Sequence, residues 1–123
     1  MANMIEILNE RRKHPRYTHR LPVQYKNIKS LASPFVGALV RDIGEGGIRF
    51  VGNEFLSLAN RLVMTLSLPA PSHPIKIISK VAWIKKLSMG DQYEIGNQFL
   101  NMSAEDKKEL KSYLEKLKEP SEG

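Results

Sequence analysis

Apolar residues that recur at every second position, in short runs broken by glycine and proline, restrict this chain to a small set of folds. Leu62, Met64, Leu66 and Leu68 share one parity, with Arg61, Thr65 and Ser67 on the other. In the next run Ile75, Ile77, Val81 and Trp83 share a parity, while Lys76, Lys80 and Ile84 take the opposite one. A period of two is what a half-buried strand requires. The expected strands are 21–29, 35–41, 47–51, 61–68, 75–85 and 93–99. Pro69, Pro71 and Pro74 interrupt regular pairing between the fourth and fifth strands. Gly44, Gly46 and Gly47 supply backbone freedom between the second and third, and Gly90 with Asp91 marks the last turn. Six short antiparallel strands in 123 residues are expected to close into a barrel, which leaves no open sheet edge.

The two ends read differently. Residues 1–20 show no sustained periodicity beyond Met4, Ile5 and Leu8, and are read as an arm. After the barrel (21–100), Ser103 and Asp106 form a capping box of the aspartate kind. Leu110, Tyr113, Leu114 and Leu117 then repeat at helical spacing, which predicts a helix over 103–118 stopped by Pro120, with a frayed tail over 119–123. The whole is one domain, mainly β, with a closing helix.

Composition removes whole classes of function. With no cysteine, a disulfide framework, a thiol nucleophile and a cysteine-held metal are excluded. No apolar run approaches the roughly 20 residues of a membrane-spanning helix. The charges of the N-terminus follow its apolar stretch, the wrong order for a signal peptide. These features predict a cytoplasmic domain that does not insert into membranes.

Charge points to an anionic partner. Residues 1–30 hold seven basic and two acidic residues, residues 31–100 seven and five, and residues 101–123 five and six. The net +6 is thus concentrated near the N-terminus, where it suits nucleic acid, an acidic surface or a nucleotide. Catalysis has little support. His14, His19 and His73 lie in the arm and a proline loop without metal-ligand spacing, and no serine elbow or acid–base carboxylate pair stands out. No cofactor is expected. The glycines of 44–47 lack the Gly-Lys-Ser/Thr of a phosphate loop and lie between strands.

Two segments carry binding chemistry. In Glu10-Arg11-Arg12-Lys13-His14-Pro15-Arg16-Tyr17, arginine is used three times and Pro15 stiffens the interval from Arg12 to Arg16. Such a run is commonly a solvated basic arm, but the planar guanidinium also donates two parallel bonds to a phosphate or to a guanine edge. In Arg41-Asp42-Ile43-Gly44-Glu45-Gly46-Gly47, Asp42 either caps its own turn or stands as an accessible carboxylate that accepts from a guanine. Trp83 is either a flat surface for a base or a core or rim residue of the barrel.

Taken together, the arm Arg12-Lys13-His14-Pro15-Arg16, a first strand, and the turn Asp42-Ile43-Gly44-Glu45-Gly46-Gly47 resemble the PilZ domain pattern of Arg-x-x-x-Arg followed by Asp/Asn-x-Ser-x-x-Gly. Val81-Ala82-Trp83 and 94–99 look like that family's later strands, so the resemblance covers about residues 10–117. It implies a six-stranded antiparallel PilZ-type barrel that binds cyclic di-GMP, as one molecule or an intercalated pair, with the arm wrapping the ligand. Carried over, Arg12 and Arg16 would clamp phosphates and guanine edges, Asp42 would read a guanine and Gly47 would permit close approach. Arg11 and Trp83 would add contacts. Gly44 stands where the motif has serine, and the lost hydroxyl is expected to weaken binding about two- to tenfold. A receptor of this kind signals by changing a surface presented to a protein effector. The alternatives are a PilZ-like adaptor that binds no nucleotide and, ranked last, a barrel that holds nucleic acid through its basic arm.

Overall fold

A computed structural model describes residues 20–88 and 90–118. Six strands follow one another along the chain. They are β1 (Pro22–Asn27), β2 (Val36–Ile43), β3 (Gly47–Gly52), β4 (Arg61–Leu66), β5 (Ile75–Lys86) and β6 (Tyr93–Met102). They close an antiparallel barrel in the order β1-β2-β3-β6-β5-β4, with β4 paired back onto β1. One helix, α1 (Ala104–Lys118), follows. The alternation has the expected physical outcome. Val23 and Tyr25 of β1, Ile48 and Phe50 of β3, Leu62, Met64 and Leu66 of β4, and Ile75 and Ile77 of β5 are all buried in the lumen. The rings of Tyr25 and Phe50 lie 5.1 Å apart, and the Tyr25 hydroxyl donates to Glu54 at 2.8 Å. Burial, reinforced by that carboxylate, pushes the phenol pKa well up.

The alternation breaks at three bulges, each of which turns an extra residue outward. Pairing slips between Val40 and Asp42, between Val81 and Trp83, and on β6 where Ile78 faces Asn101 but Ser79 faces Phe99. A bulge places two residues opposite one, and so inverts the parity of everything beyond it. Val81 faces the core, yet Trp83 is exposed and Ile84 packs inward. The parity read from sequence, which grouped Trp83 with Val81, is corrected by the bulge at Ala82. Likewise Arg41 and Asp42 both point out of the barrel, and β2 continues to Ile43.

Helix α1 packs Leu110, Tyr113 and Leu114 onto the barrel core. The Ser103 hydroxyl accepts from the Asp106 N–H at 3.0 Å, as a capping residue does. The Asp106 carboxylate reaches beyond the helix. One oxygen accepts from the Lys76 N–H at 3.0 Å and the other lies 3.2 Å from His73 Nε2, so the helix start is tied to both β5 and the β4–β5 loop. His73 Nδ1 also stands 3.8 Å from Glu109.

This latch has a pH signature. The bond to Asp106 raises the His73 pKa above its ordinary 6.5, although burial works against it and Glu109 adds to it. Burial works to raise the Asp106 pKa, but the Lys76 N–H and His73 together hold it below its ordinary 3.8. The His73 contribution is therefore fully present below pH 6.5 and is lost as pH rises through its raised value. The Asp106 contribution is present above pH 3.8 and is lost as pH falls through its lowered value. The excess of the parent's unfolding midpoint over that of His73→Gln should shrink as pH rises from about 6 to about 8. Equal midpoints at both ends of that range would show that the latch contributes nothing.

Candidate functional site

The outer face of β2, β3, β6 and β5 carries a row of four residues fixed by strand register. Asp42 faces Arg49, Arg49 faces Gly96, and Gly96 faces Trp83. At a strand spacing of about 4.8 Å the row spans about 14 Å. The bulges at Arg41 and Ala82 bring its two ends, Asp42 and Trp83, onto this face. Between them the surface dips into a cavity of about 260 Å³ lined by Asp42, Gly47, Arg49, Trp83, Gly96 and Gln98 among others.

Glycine makes the floor. Residues 44–47 form a tight hairpin in which the Gly44 N–H donates to the Gly47 carbonyl at 2.9 Å. The requirement at Gly47 is space rather than the special backbone angle expected from sequence. A Cβ there would collide with the Asn97 carbonyl oxygen of β6, so only glycine lets the two strands meet. At Gly96 a Cβ would strike the Trp83 indole, which rests against the bare backbone. Trp83 is thus a half-exposed plate, 41% accessible, resting on Gly96.

Asp42 is not the open carboxylate that the sequence suggested. It is 6% exposed and ion-paired with Arg49 Nη2. Arg49 also reaches Glu94 with Nη1 at 3.4 Å, and Arg41 approaches the other Glu94 oxygen at 3.7 Å. Among the described residues, two arginines and two carboxylates therefore meet in one cluster at one end of the row. Arg49 and Glu94 were not singled out from sequence, because their role rests on cross-strand register. The one available signal was the alternation Arg49, Val51 on β3, which turns Arg49 toward the face of Asp42.

Beneath the row, the Ser79 hydroxyl lies 3.1 Å from Met64 Sδ and 3.4 Å from Asn97 Oδ1, and its one proton is donated to either acceptor. Arg11, Arg12 and Arg16 lie outside the described residues. Among the described residues no group of three His, Asp or Glu could hold a metal ion, and no helix is long and apolar enough to cross a membrane.

The sequence pattern of the PilZ domain matches residues 10–116, nearly the whole chain. The chain belongs to the PilZ domain family. Solved PilZ structures share the fold. The inhibitor of motility MotI/DgrA of Bacillus subtilis superposes with a TM-score of 0.70 at 22% identity, over 89% of this chain and 53% of that one. MrkH of K. pneumonia, in a complex with c-di-GMP, gives 0.70 at 23% identity, over 87% and 51%. The PilZ domain of YcgR from Escherichia coli, with c-di-GMP, gives 0.68 at 16% identity, over 88% and 92%. The chain thus spans about half the length of MotI/DgrA and MrkH but nearly all of the YcgR domain. Comparison with curated proteins gave no match.

The contact between Trp83 and Gly96 is directly testable in this PilZ chain. Trp83 is the sole tryptophan, so its fluorescence reports the plate alone. Gly96→Ala should lift the indole into water and shift its emission to the red. The unfolding midpoint should stay close to the parent's, because a side chain rather than backbone must move. An unshifted emission would show that the indole does not rest there.

Proposed function

We propose that this chain is a cyclic di-GMP receptor that holds the dinucleotide between the arm bearing Arg12 and Arg16 and the outer face of β2, β3, β6 and β5. The observation that supports this most is the row itself. The Asp42 carboxylate, which lines the cavity, and the Trp83 indole share one face, with bare glycine backbone between them. Asp42 accepts from the guanine N–H groups while Arg49 holds it in place. Trp83 stacks on a base, a contact worth about 1–3 kcal/mol. Arg11, Arg12 and Arg16 supply the charge that a phosphate pair requires. The two relatives named above in complex with c-di-GMP share this fold, which adds to the reading. The receptor acts in the cytoplasm on a protein effector.

Calorimetric titration with cyclic di-GMP tests it, with GTP and a short DNA as controls at two salt concentrations. Saturable heat should appear with the cyclic dinucleotide alone, and Arg12→Ala or Arg16→Ala should remove it. Binding in either variant as tight as in the parent would refute the arginine assignment. A second reading has one observation in its favour, since Gly44 replaces the motif serine and its N–H is already used within the hairpin. If no titrant gives heat, the chain is instead an adaptor that works through protein contacts.

A further inference from the structure

We propose that the groove between α1 and the end of β6 is a docking site for an acidic, amphipathic segment of a protein partner. The groove encloses about 500 Å³, within the range of about 300–1,000 Å³ usual for ligand clefts. Its floor is apolar, built from Phe99, Leu100, Met102 and Leu110, and its rim carries Lys107, Lys108 and Lys111. Glu45 and Gly46 of the β2–β3 hairpin also line it.

Three features give this groove a purpose beyond packing. The first is Leu100. The slip that pairs Ile78 with Asn101 and Ser79 with Phe99 leaves Leu100 as the extra residue of a bulge, turned outward and 41% exposed in the groove. Bulges of this kind re-aim a side chain, and an exposed leucine on the floor of a cleft is a contact awaiting a partner. The second is how α1 divides its charge. Lys107 and Lys111 stand one turn apart on the groove side, while Asp106 and Glu109 face His73 at the β4–β5 loop. The acidic flank and the buried stripe Leu110, Tyr113, Leu114 already fix the helix to the barrel. Among the described residues no ion pair engages the lysine flank, and its charge calls for carboxylates. The third is shape. A concave cleft with an apolar floor suits the side chains of a chain segment, whereas a bilayer needs a flat or convex apolar face.

The groove also adjoins the nucleotide face. Gly46 lines both cavities, and its carbonyl accepts from the Phe99 N–H at 3.0 Å. A partner seated on Leu100 would therefore touch the hairpin that carries Asp42 and Gly47. The docking assignment itself does not depend on the nucleotide reading.

The test is fluorescence anisotropy on the full chain without nucleotide. The probe is a labelled synthetic peptide with leucines at i, i+4 and i+7 and glutamates between them. A scrambled peptide of the same composition is the control. Saturable binding is expected for the patterned peptide alone. Lys107→Glu combined with Lys111→Glu should weaken it about tenfold or more, and Leu100→Ser about fivefold. These residues are exposed, so unchanged unfolding midpoints will show that the variants are folded. Absence of binding, equal binding of the scrambled peptide, or unchanged affinity in both variants would overturn the proposal. So would self-association that disappears in the double lysine variant, which would give the groove to a second copy. Peptide binding that tightens on deletion of residues 1–10 would instead assign it to the chain's own segment around Met4, Ile5 and Leu8.

Discussion

Gly47→Ala should lower stability by about 2–3 kcal/mol, the upper range for forcing one methyl into a filled site. For a domain of this size that is a fall of roughly 8–12 °C in the unfolding midpoint. The reason lies in what the methyl would meet. Its neighbour is the Asn97 carbonyl oxygen, part of the backbone of β6, which cannot rotate aside as a side chain can. β3 would have to part from β6 at the register pair Gly47 and Gln98, beside the hairpin that positions Asp42. Two other glycines calibrate the effect. A Cβ at Gly37 of β2 meets nothing within 4 Å, so Gly37→Ala should be neutral or slightly stabilising. At Gly96 the neighbour is an indole that can swing outward. Three identical substitutions should therefore divide into one that damages the barrel, one that moves only the tryptophan, and one that does neither. Thermal denaturation of the set decides it, and a midpoint for Gly47→Ala within a degree or two of the Gly37→Ala value would contradict the packing argument.

The same glycines show where sequence reasoning reached and where it stopped. Strand positions were legible because burial on one face imposes a period of two. The fourth strand begins at Arg61 and the fifth at Ile75, as expected. The bulges were not legible, since a bulge conserves local composition and shifts only the phase. Ile84 gave a hint, as an apolar residue in the outward parity of β5, and that residue is the one the bulge at Ala82 turns inward. The last strand runs to Met102 rather than Phe99 for the same reason, because the bulge at Leu100 interrupts the alternation. Gly47 is singled out in the sequence for backbone freedom and for close approach of a ligand, whereas the constraint that the fold shows is the distance to the neighbouring strand. His73 was set aside as a loop residue, and only the fold brings it to Asp106. Asp42 is named by its place before the glycine turn, whereas the arginine that pairs with it belongs to another strand and is specified by register.

That arginine carries the second large effect. Arg49→Met should cost about 1–3 kcal/mol of stability, less than a fully buried pair because the Arg49 side chain is 33% exposed. It leaves Asp42 and Glu94, at 6% and 8% exposure, without the guanidinium that bridges them, while Arg41 stays 3.7 Å from Glu94. On the receptor reading it should also weaken cyclic di-GMP binding about ten- to a hundredfold. A carboxylate that is no longer held loses a charged hydrogen bond to guanine worth about 1.5–3 kcal/mol. Arg49→Lys should recover only part of either loss, because one ammonium cannot donate a planar fork to two carboxylates. Stability and affinity can then be separated. Adding Glu94→Gln to Arg49→Met removes one of the two carboxylates that lose the Arg49 guanidinium, so the unfolding midpoint should rise again. Affinity should stay low, since Asp42 still lacks the Arg49 guanidinium. If affinity returned together with stability, Arg49 would act only by keeping the barrel folded. If Arg49→Met bound the dinucleotide as well as the parent does, the pair of Asp42 and Arg49 would belong to the scaffold and not to the ligand site.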